Sequence, residues 1–258
     1  MRRALLICGL SVATLLSAGI AQGELRQVGN LRLAFDGRFT PHALPRDRDV
    51  PVTVELNGSV RTTDGTVPPQ LRSMSIAVNR YGKLSTEGLP TCRPSSLEAT
   101  SSKEALARCR SALVGRGRFG ANVDFPNIAF PVKGQMLAFN SRGNGRPTIA
   151  LHVHGSNPVE ATFVLIFRIT HPAKGRYGSV LSTRIPKIAS DLGYVTDLSL
   201  TFGRRYRHNG EARSFISARC AAPAGFPAVP FLFAKGSFDF ADGRTLTSQL
   251  TRDCRVVG

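Results

Sequence analysis

Residues 148–154 read TIALHVH, so that Ile149, Leu151 and Val153 alternate with Thr148, Ala150, His152 and His154. A period of two marks an extended strand that packs one face and wets the other. The same rhythm runs through four more stretches. Leu31, Leu33 and Phe35 alternate with Arg32, Ala34 and Asp36, and Val52, Val54, Leu56 and Val60 with Thr53, Glu55, Asn57 and Arg61. Met74, Ile76 and Val78 alternate with Ser73, Ser75 and Ala77, and Leu198, Leu200 and Phe202 with Asp197, Ser199 and Thr201. Residues 161–169 (ATFVLIFRI) are apolar at both parities, which reads as a central strand covered on each side. Asp64-Gly65, Pro68-Pro69, Asn144-Gly145, Asn209-Gly210 and Asp242-Gly243 punctuate these runs as turns. Roughly ten to twelve strands at this spacing predict an all-β fold, an antiparallel β-sandwich of jelly-roll type.

One stretch breaks the pattern. Residues 89–117 read LPTCRPSSLEATSSKEALARCRSALVGRG. Ser101 and Glu104 have capping-box spacing. Ala105, Leu106, Cys109, Ala112 and Leu113 then fall on one helical face, and Gly115 stands where a left-handed C-terminal residue is wanted. The expectation is a helix at about 102–114, carried by an insert over residues 90–115, with Cys109 on its buried face.

The chain opens with Arg2 and Arg3, an apolar run over residues 4–16 and a small-residue stretch over 17–23. This reads as a signal peptide spanning 1–23, too short for a membrane span, followed by one domain over 24–258. Its loss would remove Cys8 and leave Cys92, Cys109, Cys220 and Cys254. An even count in an exported chain predicts two disulfides. Of the three possible connectivities, Cys92–Cys109 and Cys220–Cys254 are favoured because each pair brackets one local unit. No zinc-type cysteine or histidine spacing is present, so no metal or other cofactor is expected.

The formal net charge is +17, and arginine supplies all but six of the 34 basic residues. Such a surface suits a polyanion, here an anionic cell-wall polymer or polysaccharide. The competing reading is solvated decoration, since the arginines are dispersed. The densest group is Arg204, Arg205 and Arg207 beside the Asn209-Gly210 turn. Nucleic acid is not favoured as a partner, and the absence of tryptophan weakens a sugar-stacking role.

Catalytic signatures are few. There is no G-x-S-x-G elbow, no phosphate-binding loop and no dinucleotide fingerprint. His152 and His154 share a strand face and could offer two metal ligands, with His171 or Asp197 as a third; the competing reading is a polar sheet face. Asp239 and Asp242-Gly243 read first as a turn. Two functions stay open: a secreted, non-catalytic structural or binding protein of the cell envelope, or an extracellular hydrolase or metal-dependent enzyme on a sandwich scaffold.

Leu89, Pro90, Cys92, Leu97, Ala105, Leu106, Cys109, Ala112, Leu113, Val114, Gly115 and Gly117 form a pattern that resembles one in uncharacterised exported proteins of high-GC Gram-positive bacteria. The resemblance covers some thirty residues. It implies secretion and a disulfide, and no activity.

Overall fold

A computed structural model describes residues 24–125, 128–157, 160–187 and 192–257; the expected signal peptide lies outside them. The first strands are β1 (Glu24–Val28), β2 (Leu31–Thr40), β3 (Ala43–Leu44), β4 (Val50–Pro51), β5 (Thr53–Thr62), β6 (Leu71–Asn79) and β7 (Gly82–Leu84). The helix α1 (Ser102–Cys109) follows, and then β8 (Leu113–Phe125), β9 (Ile128–Gly143), β10 (Arg146–Asn157), β11 (Ala161–Thr170) and β12 (Tyr177–Arg184). The chain ends with β13 (Gly193–Phe202), β14 (Arg205–His208), β15 (Glu211–Ser214), β16 (Ile216–Ala218), β17 (Ala228–Phe240) and β18 (Thr245–Val256). The fold is all-β with one short helical insert, as the alternation predicts.

The two layers of the expected sandwich are parts of one curled sheet. Thirteen strands pair in the order β1-β2-β5-β13-β8-β9-β10-β11-β12-β6-β17-β18-β3, antiparallel except for the β18–β3 pair. The sheet curls until its ends meet along a seam between β1–β2 and β18. Side chains close that seam. Glu24 Oε2 accepts from the Gln249 amide at 3.1 Å and from Ser248 Oγ at 3.3 Å. Arg252 donates to the Gly37 carbonyl at 2.6 Å and to Asp36, while Arg244 donates to the Val28 carbonyl at 3.0 Å and to Asn30 Oδ1 at 2.8 Å. Beside the seam the interior is packed: the Phe35 ring meets Phe238 edge-on at 5.5 Å, and Phe39 lies 5.6 Å from Phe233.

A three-stranded sheet, β4-β16-β7, closes the end of the curl next to the β9–β10 turn. Val52 and Ser85 amides bond the Ile216 and Phe215 carbonyls there. Asn144 and Gly145, and likewise Asn209 and Gly210, have positive φ, so both dipeptides form the hairpin turns their chemistry favours.

The insert corrects the expected helix at its C-terminal end. The capping box is present: Ser101 Oγ accepts from the Glu104 amide and Glu104 accepts from the Ser101 amide. The helix ends at Cys109, a short 3₁₀ turn covers Arg110–Ala112, and Leu113 already begins β8. Gly115 is therefore a strand residue rather than a left-handed cap. It is glycine because a Cβ there would come within 2.8 Å of both the Phe202 ring and the Thr201 carbonyl.

Both expected disulfides are formed, with Cα–Cα separations of 5.5 Å for Cys92–Cys109 and 5.7 Å for Cys220–Cys254. The first closes the insert on itself, and the second joins the segment after β16 to the last strand. Among the described residues no helix is long and apolar enough to cross a membrane.

A candidate ligand cavity

The inner face of the curl is apolar, and it is hollow. A barrel's width grows with strand number, and about eight strands already leave only enough room for wall side chains to meet. The larger perimeter here leaves a cavity of about 540 Å³. Its wall includes Val54, Met74, Phe119, Val153, Leu165 and Leu198, all of which are only partly buried although they point inward. Their residual exposure faces the cavity rather than bulk water. Phe119 is kept against the wall by glycine: Gly134 and Gly155 lie opposite one another on β9 and β10, and a Cβ on Gly134 would stand 2.5 Å from the Phe119 ring.

Ile216 and Leu84 of the small sheet, with Phe215 just before β16, form the floor. Phe215 is fully buried. Near the opposite end Val123, Phe130, Val132 and Pro186 line the wall, and Ile128 beyond them is 56% exposed. Outward positions are polar instead: Glu55, Ser75, Arg116, Arg118 and Ser199 face away from the cavity. A barrel bathed in lipid has the opposite pattern.

The sheet is interrupted beside the cavity. β11 pairs with β10 from Ala161 to Arg168, but with β12 only through Arg168–Ser182, Ile169–Leu181 and Thr170–Val180. From Ala161 to Phe167 no ladder partner faces β12 among the described residues. Phe163, Leu165 and Phe167 line the cavity on one side of this gap, and Leu181 and Ile185 on the other.

The second face of β10 corrects the expectation of a wet surface. Thr148, Ala150 and His152 are all buried, His152 completely, because the insert lies over β9–β11. A separate apolar cluster forms there from Leu97, Ala105, Cys109, Phe139 and Ala150, with Val164 and Ile166 against it. This is why residues 161–169 are apolar at both parities: one face lines the cavity and the other meets the insert.

His152 pins the insert. Its Nε2 lies 2.9 Å from the Thr100 carbonyl and 3.2 Å from Thr100 Oγ1, so the ring donates from Nε2 to the carbonyl. Nδ1 has no partner. Burial pushes the imidazole's pKa down, against the Thr100 carbonyl, which raises it, and neighbouring His154 lowers it further. His154 stacks at 6.0 Å, with Nδ1 at 3.0 Å from Thr162 Oγ1 and Nε2 at 3.6 Å from Glu160.

The third ligands do not join this pair. His171 contacts the Gly178 carbonyl and Ser179, and Asp197 sits on β13 beside Thr196. Among the described residues no group of three His, Cys, Asp or Glu could hold a metal ion. Asp239 accepts from Thr245 and Ser73, and Asp242 accepts from Arg244 across the expected turn.

Arg204, Arg205 and Arg207 lie on and beside the β14–β15 hairpin. Arg205 and Arg207 are exposed at alternate positions and share a face; Arg204 is partly buried. Tyr206, on the other face, donates to the Glu87 carbonyl at 2.7 Å. No sequence motif announces the cavity. Its only trace is a set of inward positions rich in valine, leucine and phenylalanine, which a packed core shares.

The chain matches no protein-family model, no curated protein and no solved structure.

Proposed function

We propose that the protein is an exported, non-catalytic binding protein that holds a hydrophobic small molecule inside its curled sheet. The observation that carries this reading is the 540 Å³ apolar hollow. Small-molecule sites span about 300–1,000 Å³ and are lined mainly by apolar side chains. A void of 540 Å³ left empty would cost about 13 kcal/mol at about 24 cal/mol per Å³. That equals the whole stability of an ordinary domain, about 5–15 kcal/mol. A chain of carbons filling the hollow removes that cost and gains about 0.8 kcal/mol per buried CH₂. Allowing each methylene roughly the 30 Å³ of a water molecule, the cavity suits a chain of about 16–18 carbons. The two disulfides suit an oxidising, extracytoplasmic compartment.

Fluorescence titration with the neutral probe N-phenyl-1-naphthylamine, together with mass spectrometry of organic extracts of the purified protein, tests the reading. Saturable one-to-one binding, with hexadecanol displacing the probe, is expected. A protein that neither binds the probe nor carries an extractable hydrophobic molecule would refute it.

A second reading rests on Arg205 and Arg207, which stand exposed side by side on one hairpin: they engage an anionic envelope polymer. Retention on such a polymer that weakens as salt rises supports it, and salt-insensitive retention removes it.

A further inference from the structure

We propose that the gap between β11 and β12 is the portal of the cavity, and that it takes a single-chain anionic amphiphile whose tail lies in the hollow and whose head group is held outside by Arg168 and Arg184. The proposal rests on the hydrophobic-binding reading above and names the class of ligand.

The sheet has two lines along which main-chain pairing is lost, and they differ. The seam between β1–β2 and β18 is bridged by Glu24, Arg244 and Arg252 and is backed by packed phenylalanines. Above Arg168, no side-chain hydrogen bond joins β11 and β12 among the described residues. Phe163 and Leu165 on one margin line the cavity and are only partly buried, and buried Ile185 lines it on the other, whereas the cavity-lining Phe35 and Phe238 at the seam are buried against each other. The β12-facing edge of Ala161 to Phe167, unpaired among the described residues, leaves donors and acceptors at the opening, and such groups need polar partners. A ligand's head group and its water supply them.

The charge at the lower end of this opening is one-sided, while exposed Glu160 at its upper end lies 3.6 Å from His154. Arg168 is exposed at its lower corner, facing Ser182. Arg184 is exposed two residues further along β12, on the same outward face as Ser182. Arg168 ends the β11–β12 ladder and Arg184 lies just beyond it, so the two guanidinium groups flank the lower end of the gap, where one carboxylate or phosphate would accept from both. Neither arginine makes an ion pair with an acid among the described residues. Across β6 from Arg184, Asp239 lies two strands away and already accepts from Ser73 and Thr245. An apolar hollow with an arginine pair at its opening matches an acyl chain carrying one anionic end. A neutral lipid would leave both cations unanswered.

The test is competition for the neutral probe by palmitate, hexadecyl phosphate and hexadecanol, on the wild type and on Arg168→Gln/Arg184→Gln. Both anions should displace the probe about tenfold better than the alcohol, as two partly exposed ion pairs would give. That advantage should vanish in the double variant, while hexadecanol competes unchanged. Preference for only one anion assigns the head group and still supports the site. Equal competition by anions and alcohol on the wild type overturns the proposal, as does an anion preference that survives the double variant. Probe binding in those cases leaves the hydrophobic-binding reading standing, whereas a wild type that neither binds the probe nor carries an extractable hydrophobic molecule removes both. Salt gives a second measurement free of any folding defect. The wild-type advantage of the anions should collapse toward 1 M salt, where the screening length is about 3 Å, and a preference indifferent to salt also overturns the proposal.

Discussion

Replacing Val153 with phenylalanine decides whether the inside of the curl is hollow. Val153 projects from β10 into the cavity and is only partly buried. A ring in place of an isopropyl group adds roughly 50 Å³, which at about 24 cal/mol per Å³ of cavity removed stabilises by about 1 kcal/mol. In a close-packed interior the same enlargement costs about 1–3 kcal/mol. The sign of the effect therefore separates the two cases. Ala150→Leu is the control: Ala150 lies on the opposite face of the same strand, fully buried against the insert, where added methylenes have no space. Its expected cost is about 1–3 kcal/mol. The assay is urea unfolding of protein stripped of hydrophobic ligand. The midpoint should rise for Val153→Phe with an unchanged slope and fall for Ala150→Leu. Val153→Phe should also bind the neutral probe more weakly, because it occupies the ligand's space. A Val153→Phe protein destabilised as much as the Ala150→Leu control would refute the cavity.

Opening Cys92–Cys109 as the double serine variant should cost about 3 kcal/mol, and opening Cys220–Cys254, with its longer loop, about 4 kcal/mol; chemical denaturation with and without reductant measures both. Arg252→Ala should cost about 1–2 kcal/mol by freeing the Gly37 carbonyl and Asp36, and hydrogen exchange should quicken first along β2. The pH dependence centres on His152. Its folded pKa is depressed below the usual 6.5, so the unfolded chain binds the proton more readily. Its share of stability is present above 6.5 and is lost as pH falls from there through the lowered folded value. His152→Gln should flatten that acid-side slope in unfolding curves recorded from pH 7 downward, and an unchanged slope would mean that His152 is not its source.

The strands were legible because each follows local rules. Period-two alternation marked β2, β5, β6, β10 and β13, and the Asn-Gly dipeptides marked two of the turns joining strands. The capping box placed the start of α1 for the same reason, since Ser101 and Glu104 satisfy each other within one turn. Its end was misplaced because Gly115 answers to Phe202 and Thr201, residues remote in sequence. His152 and His154 read as a candidate pair on a wet face, and only the folded insert shows His152 to be a buried anchor for Thr100. The cavity was invisible for a simple reason: an inward leucine has the same alternation whether or not anything meets it.

Sequence alone determined the all-β class and the helical insert, because alternation and capping act over short distances; it favoured one pairing of the four cysteines among three, and the structure settled it. Tertiary structure decided the rest. Curling so many strands into one sheet carries the walls too far apart for their side chains to meet, and that separation depends on strand count, tilt and seam contacts together. The gap beside Arg168 is set in the same way, where β12 parts from β11 to stay with β6.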